Sequence, residues 1–265
     1  MGDPPTPSIR PIVKQELDVV AYIPARLGSE RVRRKNLRSL AGRPLIGHVV
    51  ETALRSTVLD RIYVNTESQE IAEAASAMGA AVYLRKESLA ESSVRTDEIL
   101  YDFAKAVSCQ SIFVINPTAP FLKTSTIDLV RATLLDKGAD TTVFTTTRLY
   151  RHLILDGLPR NFDPSAKSPR TQDLKPFEYI NFIAFAIARS KVLSEYERRG
   201  HCLYVPPLAF VPMAGIECHD IDDEDDFVIA EGVMARKERR ADANSRSTRD
   251  APAPRAGGGR RGMLR

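Results

Sequence analysis

Between Asp18 and Thr147, short apolar runs alternate with stretches of helical periodicity, and this rhythm limits the possible folds more than any other feature of the chain. Asp18 to Ile23, Arg61 to Asn65, Ala81 to Leu84, Ser111 to Ile115 and Thr141 to Thr147 are short, apolar or β-branched, and read as strands. Pro44 to Leu54, Glu67 to Met78, Thr96 to Val107 and Thr124 to Leu135 space their apolar residues as helices do. Pro44 stands at a permitted first-turn position, and Gly79 and Gly138 supply stop signals. Such alternation predicts an α/β domain with a mainly parallel sheet covered on both faces and ligands at the carboxyl ends of its strands. After Thr147 the rhythm breaks. Residues 149–178, with Pro159, Pro164 and Pro169, are too long and irregular for a simple connection, and segments of this kind often form a functional site or an interface. Tyr179 to Ala188 and Leu208 to Val211 then read as strands and Glu224 to Lys237 as the last helix.

The predicted domain therefore spans residues 17–238. A Pro-rich stretch, 1–16, reads as a flexible extension, and 239–265, rich in Ala, Pro, Gly and Arg, as a disordered basic tail. The last thirty residues hold ten Lys or Arg against three Asp or Glu, a net of +7 in a chain whose total is +4, so the residues before them are net −3. With an acidic body and no interleaved aromatics, nucleic-acid binding is not expected despite the pI near 9.0. No run reaches the roughly 20 apolar residues of a membrane span, and the first residues lack the apolar core of a signal peptide, which predicts a cytoplasmic location. Cys109, Cys202 and Cys218 show neither CxxC nor Cys/His ligand spacing and read as buried small side chains.

Two stretches carry candidate chemistry. IPARLGSERVRRKN, Ile23 to Asn36, packs five cationic residues around a Gly28-Ser29 turn directly after the first strand. Backbone N–H groups at that turn, with Arg26 and Lys35, are suited to cradle a polyphosphate, although neither GxGxxG nor GK[ST] spacing is present. In His219-Asp220-Ile221-Asp222, alternate residues of an extended segment place Asp220 and Asp222 on one side, as a pair for a hard cation such as Mg2+. The same acidic run also suits a helix N-terminus, with Asp223 to Asp226 fitting that use better.

IPAR-x-GS with the following KN resembles the signature of the N-acylneuraminate cytidylyltransferase (CMP-sialic acid synthetase) family, including its pseudaminic and legionaminic acid subgroup. LAGRPLIGHVVETAL, RIYVNTESQEIAEAASAMGA, AAVYLRKESLA, INPTAPFLK and CHDIDDEDDF resemble further family blocks in the same order. The resemblance implies a Rossmann-like three-layer α/β/α nucleotide-diphospho-sugar transferase fold with a mixed, mainly parallel sheet. It also implies transfer of CMP from CTP to the anomeric hydroxyl of a nonulosonic sugar acid, with Mg2+ as cofactor, in a homodimer that uses residues 149–178. Arg26 and Lys35 would then hold CTP phosphates and act in catalysis with Asp222. Gly28 and Ser29 would form the cradle, with Asn36, Arg85 and Thr96 near the nucleotide and Asp220 and Asp222 on the metal. Asn116, Thr118, Arg170, Gln172, Asn181 and Phe185 would bind the acceptor, Arg170 through its carboxylate. The sequence departs from the family at Asn116, where glutamine is common, and in NFIAFAI, where Phe182 replaces glycine and Phe185 replaces tyrosine; Glu30 and Arg33 replace lysine and proline. Another acceptor such as the eight-carbon Kdo, or a catalytically silent nucleotide-binding protein on the same fold, are the rival expectations.

Overall fold

The computed structural model describes residues 17–29 and 31–249. The expectations for 1–16, Glu30 and 250–265 lie outside the described residues. Seven strands, β1 (Leu17–Pro24), β2 (Arg61–Thr66), β3 (Ala81–Leu84), β4 (Cys109–Ile115), β5 (Thr142–Leu149), β6 (Phe177–Ala188) and β7 (Leu208–Met213), form one sheet in the order β7-β5-β6-β4-β1-β2-β3. Every neighbouring pair is parallel except those made by β6, which runs against both β4 and β5.

The period of two along β1 explains the layering. Val19, Ala21 and Ile23 face one core, shared with α1 (Leu45–Leu54), α2 (Gln69–Ala77) and α4 (Thr124–Lys137). Val20 and Tyr22 face the other, shared with α3 (Thr96–Ala106) and α5 (Arg189–Arg199). The result is the three-layer α/β/α architecture. A third, smaller core lies off the sheet, where Val32, Leu40 and Leu45 meet Phe121, Ile221, Phe227 and Ala230. Phe227 and Ala230 belong to α6 (Glu224–Arg249), so the last helix is packed beneath the loop that follows the first strand.

Several elements differ from the sequence reading. α5 was not expected, although Val192 and Tyr196 lie four residues apart and Gly200 ends the helix in the left-handed region at φ 73°. The antiparallel course of β6 follows from the long irregular segment before it, which returns the chain to the carboxyl edge. That segment contains an exposed hairpin, Ile154–Leu155 with Leu158–Pro159. A second hairpin, Ser39–Leu40 with Arg43–Pro44, turns through Ala41 and Gly42, both at positive φ. Helix α6 runs to Arg249, so a continuous helix replaces the loose tail expected over 239–249. Its composition is the reason: between Gly232 and Pro252 the sequence has neither glycine nor proline and is rich in Ala and Arg.

Candidate active site

The loop after β1 is fixed at both ends by groups from other elements. At its start Ala25 N–H donates to Asn65 O at 2.8 Å, and Leu27 N–H donates to Glu67 Oε1 at 2.8 Å. The second oxygen of Glu67 accepts from Arg85 Nη2 at 2.7 Å, while Arg85 Nη1 donates to Asn65 Oδ1 at 2.6 Å. At its end Asn36, itself buried, reaches back across ten residues to donate to Arg26 O at 2.9 Å. Arg34 adopts φ 53° before the single turn Lys35–Leu37 and pairs with Glu70. Arg38 then pairs with Glu224 at 2.5 Å and lies over the Phe227 ring at 3.9 Å. Between these anchors Gly28 is exposed and Ser29 half-buried; a Cβ placed on Gly28 would meet nothing within 4 Å, so the fold itself does not demand glycine there.

A second pair of loops closes opposite. Asn116, after β4, accepts the Thr118 N–H at 3.1 Å through Oδ1 and donates through Nδ2 to Asp220 at 2.9 Å. The Thr118 hydroxyl donates to the other Asp220 oxygen, and Ile221 N–H donates to Thr118 O at 3.0 Å. Glu217, buried, accepts the Lys123 N–H at 3.0 Å and the Thr126 hydroxyl, which caps α4 and ties the acidic loop to that helix. Burial raises the pKa of Asp220, reinforced by Asp222 and opposed by Thr118, Lys35 and Asn116. Lys35 joins the two halves: its ammonium donates to Ile221 O at 2.5 Å and stands 3.7 Å from Asp222 Oδ1.

Between these loops lies a cleft of about 480 Å3 at the carboxyl ends of β1 and β4, the position expected for an α/β sheet. Arg26, Ser29, Lys35, Asn36, Thr96, Asn116, Thr118, Phe185 and Asp222 all line it, so the structure brings most of the anticipated residues together. Thr96 opens α3, whose first turn is already occupied by acids: Asp97 accepts from Cys202 N–H and Leu203 N–H, and Glu98 from Arg95 N–H. An adjoining cleft of about 290 Å3, lined by Arg85, shares Pro24, Arg26 and Thr96 with the first.

Other anticipated residues stand elsewhere. Arg85 lies mostly beneath the loop as a buried ion-pair partner. Asp220 sits behind the lining, bound to Asn116 and Thr118. Asn181 belongs to the interior of β6: its Oδ1 accepts the Ile183 N–H at 3.1 Å and the Thr145 hydroxyl at 2.7 Å, and its Nδ2 donates to Thr147 Oγ1 at 3.0 Å. There the register of β6 against β5 shifts between Ile180 and Phe185, and the Asn181 amide occupies the gap. Arg170 and Gln172 are exposed and outside the cleft; Arg170 forms a two-pronged pair with Asp173 on its own turn, at 2.7 and 3.1 Å. The lining also includes Pro24, Arg31, Val32, Val114, Pro117 and Phe182. For Arg31 the available signal is its place in the same basic loop, and Phe182 stands out in the sequence only as a departure from the family. Glu67, which organises the loop, had no signal beyond its position directly after a strand.

The cytidylyltransferase family profile matches residues 20–167. Over 115 residues the chain is 42% identical to the CMP-N,N'-diacetyllegionaminic acid synthase of Legionella pneumophila, covering 41% of this chain and 50% of that protein. It is 26% identical over 237 residues to the N-acylneuraminate cytidylyltransferase of Escherichia coli O18:K1:H7, covering 83% of this chain and 53% of that one. The chain thus spans about half the length of the curated relatives it matches. A CMP:2-keto-3-deoxy-manno-octonic acid synthetase solved with CTP shares the fold, with a TM-score of 0.62 at 16% identity over 83% of this chain and 99% of that one. With a family profile spanning more than half of its residues and a shared fold beneath it, the chain belongs to the cytidylyltransferase family.

Proposed function

We propose that this chain transfers CMP from CTP to the anomeric hydroxyl of a nonulosonic sugar acid and releases pyrophosphate. The observation that carries the reading is that Arg26, Arg31 and Lys35 face Asp222 across one cleft at the carboxyl edge of the sheet. The similarity to a legionaminic acid synthase and to N-acylneuraminate cytidylyltransferases supports CTP and a nine-carbon acidic sugar as the substrates. In the transfer, the anomeric oxygen forms a bond to the α-phosphorus, the bond from that phosphorus to the oxygen bridging the α- and β-phosphates breaks so that this oxygen leaves on pyrophosphate, and the hydroxyl proton passes to solvent. Arg26, Arg31 and Lys35 hold the triphosphate and offset the charge that moves onto the departing pyrophosphate. Ser29 and the neighbouring backbone position the phosphates, and binding both substrates in one cleft supplies the alignment.

The donor chemistry of the acidic loop fits Mg2+. Each Asp220 oxygen makes one hydrogen bond and keeps a free lone pair. Asp222 is open to the cleft, and hard divalent cations accept few protein oxygens when phosphates and water complete their shell. Asp220 and Asp222 would hold the ion, which supplies charge stabilisation to the phosphates. A homodimer is part of the proposal: Ile154, Leu155 and Leu158 on the hairpin of the irregular segment are 61%, 54% and 59% exposed and form an apolar surface suited to a second copy.

Pyrophosphate release measured with each of the four nucleoside triphosphates and Mg2+, against a panel of sialic, legionaminic, pseudaminic and Kdo acids, tests the proposal. Turnover with CTP and a nine-carbon acid is expected. Preference for Kdo or for another nucleotide would reassign the substrate, and no turnover with any pair would overturn the activity.

A further inference from the structure

We infer that the protein holds a phosphate group in a second site, at the amino-terminal end of β4 and on the opposite edge of the sheet from the cleft. There a cavity of about 360 Å3 opens between the start of β4, the first turn of α5 and the second half of α4. Ser111 forms part of its wall. It lies on the same face of β4 as Phe113 and Ile115, which belong to the core beneath α4, so its side chain points toward that helix. The residue is only 7% exposed, yet its hydroxyl makes no hydrogen bond among the described residues. A buried hydroxyl without a partner is costly, and a ligand oxygen in the cavity removes that cost.

The charges around the cavity are of one sign. Arg131 and Arg189 line it and no carboxylate does. Among the described residues Arg131 has neither an ion pair nor a hydrogen bond. Arg189 donates through Nε to Ala104 O at 2.7 Å, which fixes its guanidinium and leaves both terminal nitrogens without partners. The first turn of α5 adds to this field, because Ala188 supplies no side-chain cap, no acid follows it and Ser190 lines the cavity. Carbonyls at the end of α4 are occupied elsewhere: Leu134 O accepts the Gly138 N–H and Lys137 O the Thr141 hydroxyl, both at 3.0 Å. Two guanidinium groups, an uncapped helix start and two serine hydroxyls suit a tetrahedral dianion with several acceptor oxygens, which is the chemistry of phosphate. Leu134 and Leu135 complete the wall, so a free phosphate and the head of a small phosphate monoester both match it.

The test is calorimetric titration of the full chain with inorganic phosphate and with glycerol 3-phosphate at fixed ionic strength, in the wild type, Arg131→Gln, Ser111→Ala and Lys35→Ala. Arg131→Gln removes a half-exposed guanidinium and Ser111→Ala a hydroxyl, neither with a partner, so both variants fold. Saturable binding to the wild type is expected. Arg131→Gln should weaken it roughly tenfold or more and Ser111→Ala severalfold, about the worth of charged and neutral hydrogen bonds, whereas Lys35→Ala, in the cleft, should leave it unchanged. Tighter binding of inorganic phosphate assigns the site to the free ion and tighter binding of glycerol 3-phosphate to a monoester; either supports the inference. Absence of saturable binding by both probes, or binding that Arg131→Gln and Ser111→Ala both retain, overturns it. Loss in Lys35→Ala with retention in Arg131→Gln overturns it too, since the phosphate would then lie in the cleft.

Discussion

Glu67 Oε2 and Arg85 Nη2 meet at 2.7 Å beneath the loop that follows β1, and the other oxygen of the same carboxylate holds the Leu27 N–H. One half-buried acid thereby sets both the height of that loop and the position of the guanidinium below it. Replacing Glu67 with alanine leaves Arg85 buried without its counter-charge, a loss of about 3–5 kcal/mol for pairs of this type. Denaturant unfolding of Glu67→Ala is expected to show that loss, and titration with CTP to show weaker binding. An unchanged midpoint would remove Glu67 from its role as the loop's anchor.

Lys35 and Asp222 separate two contributions to the proposed chemistry. Lys35→Ala removes a cation from the developing phosphate charge and is expected to lower kcat/KM by roughly 100-fold or more in a pyrophosphate-release assay. Asp222→Asn should instead raise the Mg2+ concentration needed for half-maximal rate, by roughly tenfold or more, since even indirect supports of metal ligands cost that much. Chelation with EDTA is expected to stop both the wild type and the variant. If Asp222→Asn kept the wild-type Mg2+ dependence, the metal assignment would be wrong.

Asp220 links activity to stability in opposite senses. Its pKa is raised above the ordinary 3.8, first by burial and then by Asp222. The native state thus keeps a proton that the unfolded chain gives up, so this group lowers stability as pH climbs from 3.8 through the raised value. Asp220→Asn is expected to melt higher than the wild type at pH 7, with the difference shrinking toward pH 3.8, while its transfer rate falls. Melting curves across that range, run beside rate measurements, check both parts.

Asn181 is expected to behave as a structural residue. Asn181→Ala leaves the Ile183 N–H without its acceptor in the gap between β6 and β5, at a cost of about 1–3 kcal/mol. The same change displaces Phe182, so the acceptor's KM should rise while the KM for CTP holds. A drop in melting temperature without any change in acceptor KM would detach the bulge from the site.

The strand and helix order up to Thr147 was legible because a period of two and a period of 3.6 are written directly in the residues. The course of β6 was not, since strand direction depends on how a long irregular segment returns, and that is set by tertiary contacts. In the site, Arg26, Lys35 and Asp222 could be read because their charges cluster beside a strand end. Asn181 and Arg170 could not be placed: one fills a bulge and the other closes on Asp173 three residues away, and both outcomes depend on partners that a linear motif does not display. Arg31 was passed over because an exposed charge in a loop looks the same in sequence whether it faces solvent or a cleft.

The third core, in which Val32 meets Phe227, gives the protein an order of assembly. Lys35 and the backbone it holds at Ile221 are separated by 186 residues. All seven strands of the sheet end by Met213, before either Ile221 or Phe227 has been reached, so the growing chain can complete its sheet while the loop after β1 still lacks its floor. On the proposed function, CTP binding is therefore expected only once synthesis has passed the start of the last helix.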